Sequence, residues 1–374
     1  MNEALHLEKL RLLHFKNYDD ASLACSPQLN AFVGLNGMGK TNLLEAIYYL
    51  CMCRSPRGAA DRHLPRRGSD FLRLEGLFRR DGRQEAITAK LRPGKKKTFE
   101  RNGKPYELLS EHIGLLPVVF IAPEDTQLIT GGSEERRRLL DNTLSQLNGE
   151  YLQQLITYNK VLDRRNRLLK QFADQQSFDA GLLEAYDHQL LGPADYLYRE
   201  RERFLAEFNP LLIALAGRIT NTQDSFQVRY KSPLQERPMA DCLRENRDKD
   251  RVLARTTAGT HKDDLDLLLD DSPVKRYASQ GQTKSLALGL KLAQYRMLQQ
   301  GKNTTPILLL DDLFDKLDAE RVSSLLALLR EQAFGQVFLT DTDEARVLDL
   351  LNSLGATHRT FRIQDGTASP IVMA

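Results

Sequence analysis

Gly34-Leu35-Asn36-Gly37-Met38-Gly39-Lys40-Thr41 fits the pattern Gly-x-x-x-x-Gly-Lys-[Ser/Thr], and its neighbours supply the context that pattern needs. Ala31-Phe32-Val33 reads as a strand entering the loop, and Asn42 to Leu50 as an apolar helix leaving it. In such a setting glycines let backbone N–H groups curl around a phosphate at a helix N-terminus, where the dipole favours negative charge. Lys40 is expected to reach the β- and γ-phosphates of a nucleoside triphosphate, and Thr41 to offer its hydroxyl to Mg²⁺. The competing reading is a glycine-rich turn with a surface lysine. Strand, loop and helix in this order favour a site for ATP or GTP.

Far downstream stands Ile307-Leu308-Leu309-Leu310-Asp311-Asp312. Four apolar residues followed by two carboxylates read as a buried parallel strand that ends at a ligand crevice. Asp311 is expected to hold Mg²⁺, directly or through water, and Asp312 to orient or deprotonate an attacking water. An apolar strand ending in a solvated acidic turn would be the better reading if Lys40 were absent.

The chain has 374 residues, enough for two domains or one domain with a large insertion. Hydrophobic residues make up 41% and charged residues 28%, which suits ordinary globular cores. The longest apolar runs are strand-length, so no membrane-spanning helix is expected. Met1 to His6 lacks a basic-then-apolar leader. Cys25, Cys51, Cys53 and Cys242 include no Cys-x-x-Cys pair, which disfavours zinc and fits reduced thiols in a cytoplasm. A formal charge of +3 means that a polyanionic partner must be met by local basic patches.

Texture divides the chain in three. Up to Pro117 it is strand-rich: Phe71 to Phe78 alternates like a half-buried strand, and Asn102-Gly103 signals a hairpin within Thr98 to Pro105. From Ser133 to Leu253 leucines recur at helical spacing, first from Leu139 to Leu169 and then from Leu182 to Ile219. A polar turn, Asp174 to Ser177, separates these stretches. From Ala258 strand and helix alternate again. A phosphate loop and its acidic strand must share one sheet, so the outer thirds are expected to form one domain. The fold class is therefore α/β: a P-loop head with a mixed sheet, residues 1–120 and 256–374, plus an inserted, mainly helical domain, residues 121–255. Sustained heptads are absent, which excludes a long coiled coil.

Ala278-Ser279-Gln280-Gly281-Gln282, followed by an apolar helix, resembles the signature motif of the ABC-type ATPases. In that class Ser279, Gln280, Gly281 and Gln282 would face the γ-phosphate held by a second copy, coupling dimerisation to nucleotide state. An ordinary helix cap by Ser279 is the plainer alternative. Asp315, Leu317 and Asp318 resemble the D-loop of the same class. After the next strand, transporter members carry a histidine. Thr340-Asp341-Thr342 stands there instead, which argues against a transport motor and leaves the γ-phosphate switch open.

Asn17-Tyr18, Phe120 to Asp125, Gly131 to Asp141, Arg164 to Leu169 and Gly259 to Leu265, in this order, are similar to motifs of the RecF family of bacterial DNA repair and replication proteins. The resemblance spans essentially the whole chain. It implies an ABC-type head that binds ATP with Mg²⁺, an ATP-dependent homodimer on double-stranded or gapped DNA, and slow, DNA-stimulated hydrolysis. It also implies partnership with RecR and RecO in loading RecA. Thr260 and Lys262 depart from the proline and arginine usual there, and Asp312 from the glutamate of the wider ABC class. Glu124 and Gln127 both remain candidates for the metal-side switch.

DNA would be met through lysine and arginine contacts to phosphates. The favoured cluster is Lys95, Lys96, Lys97, Arg101 and Lys104 around the hairpin, with Arg54 and Arg57 after the loop helix. Arg136 to Arg138 and Arg164 to Arg167 are weaker candidates, since most charge runs are solvated faces. The alternative function is a nuclease-linked or other SMC-like ATPase acting on DNA. Asp264-Leu265-Asp266 is an Asp-x-Asp, but it lies amid the acidic residues from Asp263 to Asp271 and reads as a turn.

Overall fold

A computed structural model describes residues 5–220, 226–314, 319–331 and 334–371. The chain divides into two compact units. The first comprises Met1–Asp125, Arg218–Thr220 and Leu288–Ala374; the second comprises Thr126–Gly217 and Asn221–Ala287.

The first unit contains two sheets. One is antiparallel, with strands β1 (His6–Phe15), β2 (Tyr18–Ala24), β4 (Leu72–Arg80), β5 (Arg83–Leu91), β6 (Thr98–Arg101) and β7 (Lys104–Pro105) in the order β2-β1-β4-β5-β6-β7. The turn between β6 and β7 places Asn102 at φ 52° and Gly103 at φ 77°, the left-handed pair that the Asn-Gly signal demands. In the other sheet β3 (Leu29–Val33), β8 (Val118–Ile121), β12 (Ile307–Leu310), β13 (Val337–Asp341), β14 (His358–Gln364) and β15 (Thr367–Ile371) follow the order β15-β14-β3-β13-β12-β8. All its pairings are parallel except that of β14 with β15.

The helix Lys40–Met52 is buried along almost its whole length, from Leu43 to Met52. It packs on strands of both sheets, and its residues share one core with Leu10, Phe78 and Ile87 of one sheet and Phe32, Leu309 and Phe338 of the other. A helix apolar all round belongs in such an interior. That position fixes the N-terminus of the helix, and hence the phosphate loop.

The second unit holds the helices Ser133–Leu147, Gly149–Asp174 and most of Ala180–Thr220, which runs through Pro193 and Pro210. It also contains a small sheet, β11-β10-β9, of β9 (Phe226–Lys231), β10 (Asp264–Leu269) and β11 (Ser272–Pro273). The chain returns to the first unit at Leu288, inside the helix Gln280–Lys302, rather than near residue 256. The reason is β10, which pairs residue for residue with β9 from Asp264↔Lys231 to Leu269↔Phe226. Asp264-Leu265-Asp266 is therefore the start of a strand and not a turn. Arg165, placed by sequence in a basic patch, is fully buried.

Gln336 stitches the two sheets together. β2 begins pairing with β1 only at Lys9, so Leu7 lies beyond its end. The buried Gln336 side chain accepts from the Leu7 amide at 2.7 Å and donates to the carbonyls of Leu7 at 2.8 Å and Ser26 at 2.6 Å. Gln336→Leu strands these groups without water and is expected to cost about 2–3 kcal/mol, read as a lowered urea midpoint with unchanged m-value. His112 is equally enclosed. Its Nε2 lies 2.7 Å from the Leu50 carbonyl, and burial pushes its pKa down to about 4. The unfolded chain binds that proton from about pH 6.5 downward while the fold resists it. The stabilisation is therefore complete above pH 6.5 and lost as pH falls towards 4. His112→Gln should flatten the pH dependence of the urea midpoint across that window.

Candidate nucleotide site

The loop that follows β3 is braced from outside by Asn17 and Tyr18. Asn17 donates Nδ2 to the Met38 carbonyl at 2.8 Å and accepts from Asn42 Nδ2 at 2.8 Å; the Tyr18 hydroxyl donates to the Gly39 carbonyl at 3.1 Å. Gly39 sits at φ 113°, and a Cβ there would lie 2.6 Å from Asn17 Nδ2, so only glycine fits. Leu35, Asn36 and Gly37 form an exposed crest, with Gly34 and Met38 partly covered beside it. Lys40 is buried, its ammonium donating to the carbonyls of Gly34 at 2.8 Å and Leu35 at 3.3 Å, and standing 3.9 Å from Asp312 Oδ1.

The sheet order explains how the acidic strand meets this loop. β13 lies between β3 and β12, and Thr340 of β13 stands between the two halves of the site. Asp311 is 2% exposed. Its Oδ1 accepts from the Thr41 hydroxyl at 2.8 Å and the Thr340 hydroxyl at 2.9 Å, while Arg57 Nη2 lies 3.0 Å from Oδ2. Burial raises the Asp311 pKa first and Asp312 adds to it; the two hydroxyls and Arg57 oppose the rise. Asp312 adopts φ 43°, a left-handed conformation rare for a side-chain-bearing residue, and its amide donates to Thr340 Oγ1 at 2.8 Å. One threonine thus positions both carboxylates.

Arg57, expected among DNA contacts, instead bridges Asp311 and Glu124, whose Oε1 is 3.3 Å away. Its segment is held by the Ser55 hydroxyl, which donates to buried Glu45 at 2.6 Å and accepts from the Arg57 amide at 3.3 Å. No sequence motif marked Arg57. Thr340 had a signal, its place at the end of the strand after the acidic one, but the order of strands was needed to read it. Of the two switch candidates, Glu124 shares the unit of Asp311; Gln127 is exposed in the second unit.

The remaining expected residues fall in several places. Ser279 and Gln282 form a reciprocal cap: the Ser279 amide donates to Gln282 Oε1 at 2.9 Å, and the Gln282 amide to Ser279 Oγ at 3.1 Å. Ser279 and Gln280 are exposed, Gly281 and Gln282 half-buried, at the start of the helix Gln280–Lys302. Asp315, Leu317 and Asp318 lie outside the described residues. Around the hairpin, Lys95, Lys96 and Lys104 are exposed, as is Arg54 after the loop helix. Lys97 is committed to Asp61 at 2.9 Å and the Cys53 carbonyl at 2.6 Å, and Arg101 to Glu85 through Nε and Nη2. Asp264, from the Asp-x-Asp, is gripped by Arg136 at 2.7 and 3.0 Å. Among the described residues, no helix is long and apolar enough to cross a membrane.

A buried lysine in a braced glycine loop, tied through a threonine to a buried aspartate at the end of a parallel strand, defines an ABC-type ATPase head. The family model of the RecF/RecN/SMC N terminal domain matches residues 6–363. An SMC head domain from Pyrococcus furiosus superposes with a TM-score of 0.56 at 16% identity, over 99% of this chain and 96% of that one, a likeness of fold. The chain is 40% identical to the DNA replication and repair protein RecF of Phocaeicola vulgatus, over 96% of this chain and 97% of that protein. It is 41% identical to RecF of Parabacteroides distasonis, over 98% and 99%. A solved structure of the recombination mediator protein RecF with ATP matches with a TM-score of 0.90 at 28% identity, over 100% and 99% of the two chains. The chain belongs to the RecF family of DNA replication and repair proteins.

Thr340→Val removes the hydroxyl that orients Asp311 and Asp312 while keeping the side-chain shape. It is expected to lower the kcat for ATP about tenfold, a barrier rise of about 1.4 kcal/mol, with little change in KM. Steady-state phosphate release checks this.

Proposed function

We propose that this chain is an ATP-dependent DNA-binding protein of recombinational repair and replication restart, in which ATP drives formation of a homodimer on gapped duplex DNA. The observation that carries the reading is the 2.8 Å bond between Thr41 of the phosphate loop and Asp311 of the acidic strand, with Lys40 buried beside them. The residues fit a triphosphate and its metal. Thr41 and Asp311 offer the hard oxygen ligands that Mg²⁺ prefers, and bound Mg²⁺ would neutralise phosphate charge. Lys40 Nζ rests on two neutral carbonyls, weaker acceptors than a phosphate oxygen. The backbone of residues 34–39 would cradle the phosphates. Asp312, fixed by Thr340, would orient the attacking water, and a carboxylate one methylene shorter than glutamate suits slow turnover.

Dimerisation would act through the Ser279 turn. Ser279 Oγ accepts from the Gln282 amide within its own helix, which leaves the hydroxyl proton and the N–H groups of Gln280 and Gly281 to donate to a γ-phosphate held by the second copy. DNA binding would rest on exposed Lys95, Lys96, Lys104 and Arg54, with ATP as the switch. Partnership with RecR and RecO in loading RecA follows from the family likeness and belongs to the same proposal.

Fluorescence anisotropy with a gapped duplex at one salt concentration, with ATP, ADP or no nucleotide, tests the reading. Tight binding only with ATP is expected, and equal binding in all three states would overturn the switch. Lys40→Ala should lose nucleotide binding and dimerisation together. Asp312→Asn should bind ATP and remain on DNA, whereas rapid release with ATP would count against its assigned role. Ser279→Ala should leave monomer affinity for ATP within about twofold of wild type while dimerisation weakens by about 1.5–3 kcal/mol, the scale of a lost charged hydrogen bond. Sedimentation velocity with ATP reads the second effect.

A further inference from the structure

In the second unit, the segment from Arg255 to Asp263 is fixed by charges withdrawn from water. Arg165, fully buried, donates to Asp187 at 2.6 Å, Asp250 at 2.7 Å and the Thr256 hydroxyl at 2.8 Å. Arg201, 2% exposed, reaches Asp263 at 2.7 Å, the Thr260 carbonyl at 2.8 Å and Asp141 at 2.8 Å. The His261 ring closes the segment on itself, with Nδ1 2.7 Å from the Tyr158 hydroxyl and Nε2 3.1 Å from the Thr256 carbonyl. Buried ion pairs add little net stability, because desolvation offsets their attraction. What they supply here is one fixed loop geometry.

That loop displays cations the fold leaves uncompensated. Arg255 and Lys262 are exposed, and the His261–Thr256 bond holds their neighbouring residues together. Arg137, half-buried on the helix Ser133–Leu147, donates to the Asp263 carbonyl at 2.7 Å, one residue beyond Lys262. Its sequence neighbours are treated differently: Arg136 is paired with Asp264, and Arg138 with Glu134 and Glu135. Among the described residues no ion pair involves Arg137, Arg255 or Lys262. Asp250 is the acid whose field favours the Lys262 charge, and its oxygens already accept from Arg165, the Thr257 amide and the Thr257 hydroxyl. Partial burial, then Arg255 and Arg137, hold the Lys262 ammonium below its ordinary pKa. Like charges are kept together at a cost in the isolated protein.

We propose that Arg137, Arg255 and Lys262 form a phosphate-contact site on the second unit that engages the backbone of bound DNA. The proposal rests on the DNA-binding reading above and adds a surface distinct from the hairpin cluster. Two exposed cations and one recessed cation suit successive phosphates of a strand passing over the surface, and the contact carries no base information.

The test uses the full chain with ATP and a gapped duplex, with affinity measured across a range of salt concentrations. In the double variant Arg255→Gln with Lys262→Gln, the slope of log affinity against log salt should become shallower by about 1.8, at about 0.9 per phosphate contact. Affinity should fall about tenfold or more, while ATP binding is retained and the melting temperature is not lowered. The charge-keeping pair Arg255→Lys with Lys262→Arg should restore the wild-type slope. An unchanged slope in the glutamine variant, with wild-type protein that binds DNA, would overturn the proposal and point to an acidic protein surface as the partner. Failure of the wild type to bind DNA in any nucleotide state would sink the broader reading, a result distinct from loss of this site alone.

Discussion

The Asp311 carboxylate is the constraint on which the site depends. It is almost withdrawn from solvent at the end of β12, where an unpaired charge would be expensive. Two hydroxyls and a guanidinium meet it there: Thr41 from the loop, Thr340 from the strand between, and Arg57 from the segment after the loop helix. Each comes from a different part of the sequence, so the carboxylate can be satisfied only when the parallel sheet has assembled in its observed order. Nucleotide-site geometry therefore depends on the completed sheet.

The two units use buried polar groups for different ends. In the first, Gln336 supplies the hydrogen bonds that β2 does not reach, joining sheets that the helix Lys40–Met52 packs between. In the second, Arg165 and Arg201 draw in acidic residues from several elements and fix a loop whose own charges face outward. The ion pairs of the second unit add little net stability, because desolvation offsets their attraction. Both arrangements select one geometry.

Much of this was legible along the chain. The phosphate loop needs glycine, lysine and threonine at fixed spacing within a few residues, so its chemistry is local. The same holds for the Asn102-Gly103 turn and for the leucine spacing of the helices Ser133–Leu147 and Gly149–Asp174. Asp264-Leu265-Asp266 was misread because acidic residues at short spacing suggest a turn; its pairing with β9, far away in sequence, makes it a strand. Arg57, Lys97, Arg101 and Arg165 showed a limit of another kind. A basic residue has the same sequence signature whether its charge faces solvent or a carboxylate contributed from elsewhere.

By itself, then, the sequence determined that a phosphate loop and an acidic strand exist, that they bracket a helical segment, and that the chain is built on the pattern of the RecF family. Local spacing suffices for such features, because the required residues are covalent neighbours. Tertiary structure alone decided that Thr340 stands between the loop and the acidic pair, that Arg57 serves Asp311, and that β10 extends the second unit to Ala287. It also decided which cations are consumed by the fold and which are left to face outward. Those outcomes depend on strand order and on the desolvation of individual charges, and both are properties of residues brought together from distant parts of the chain.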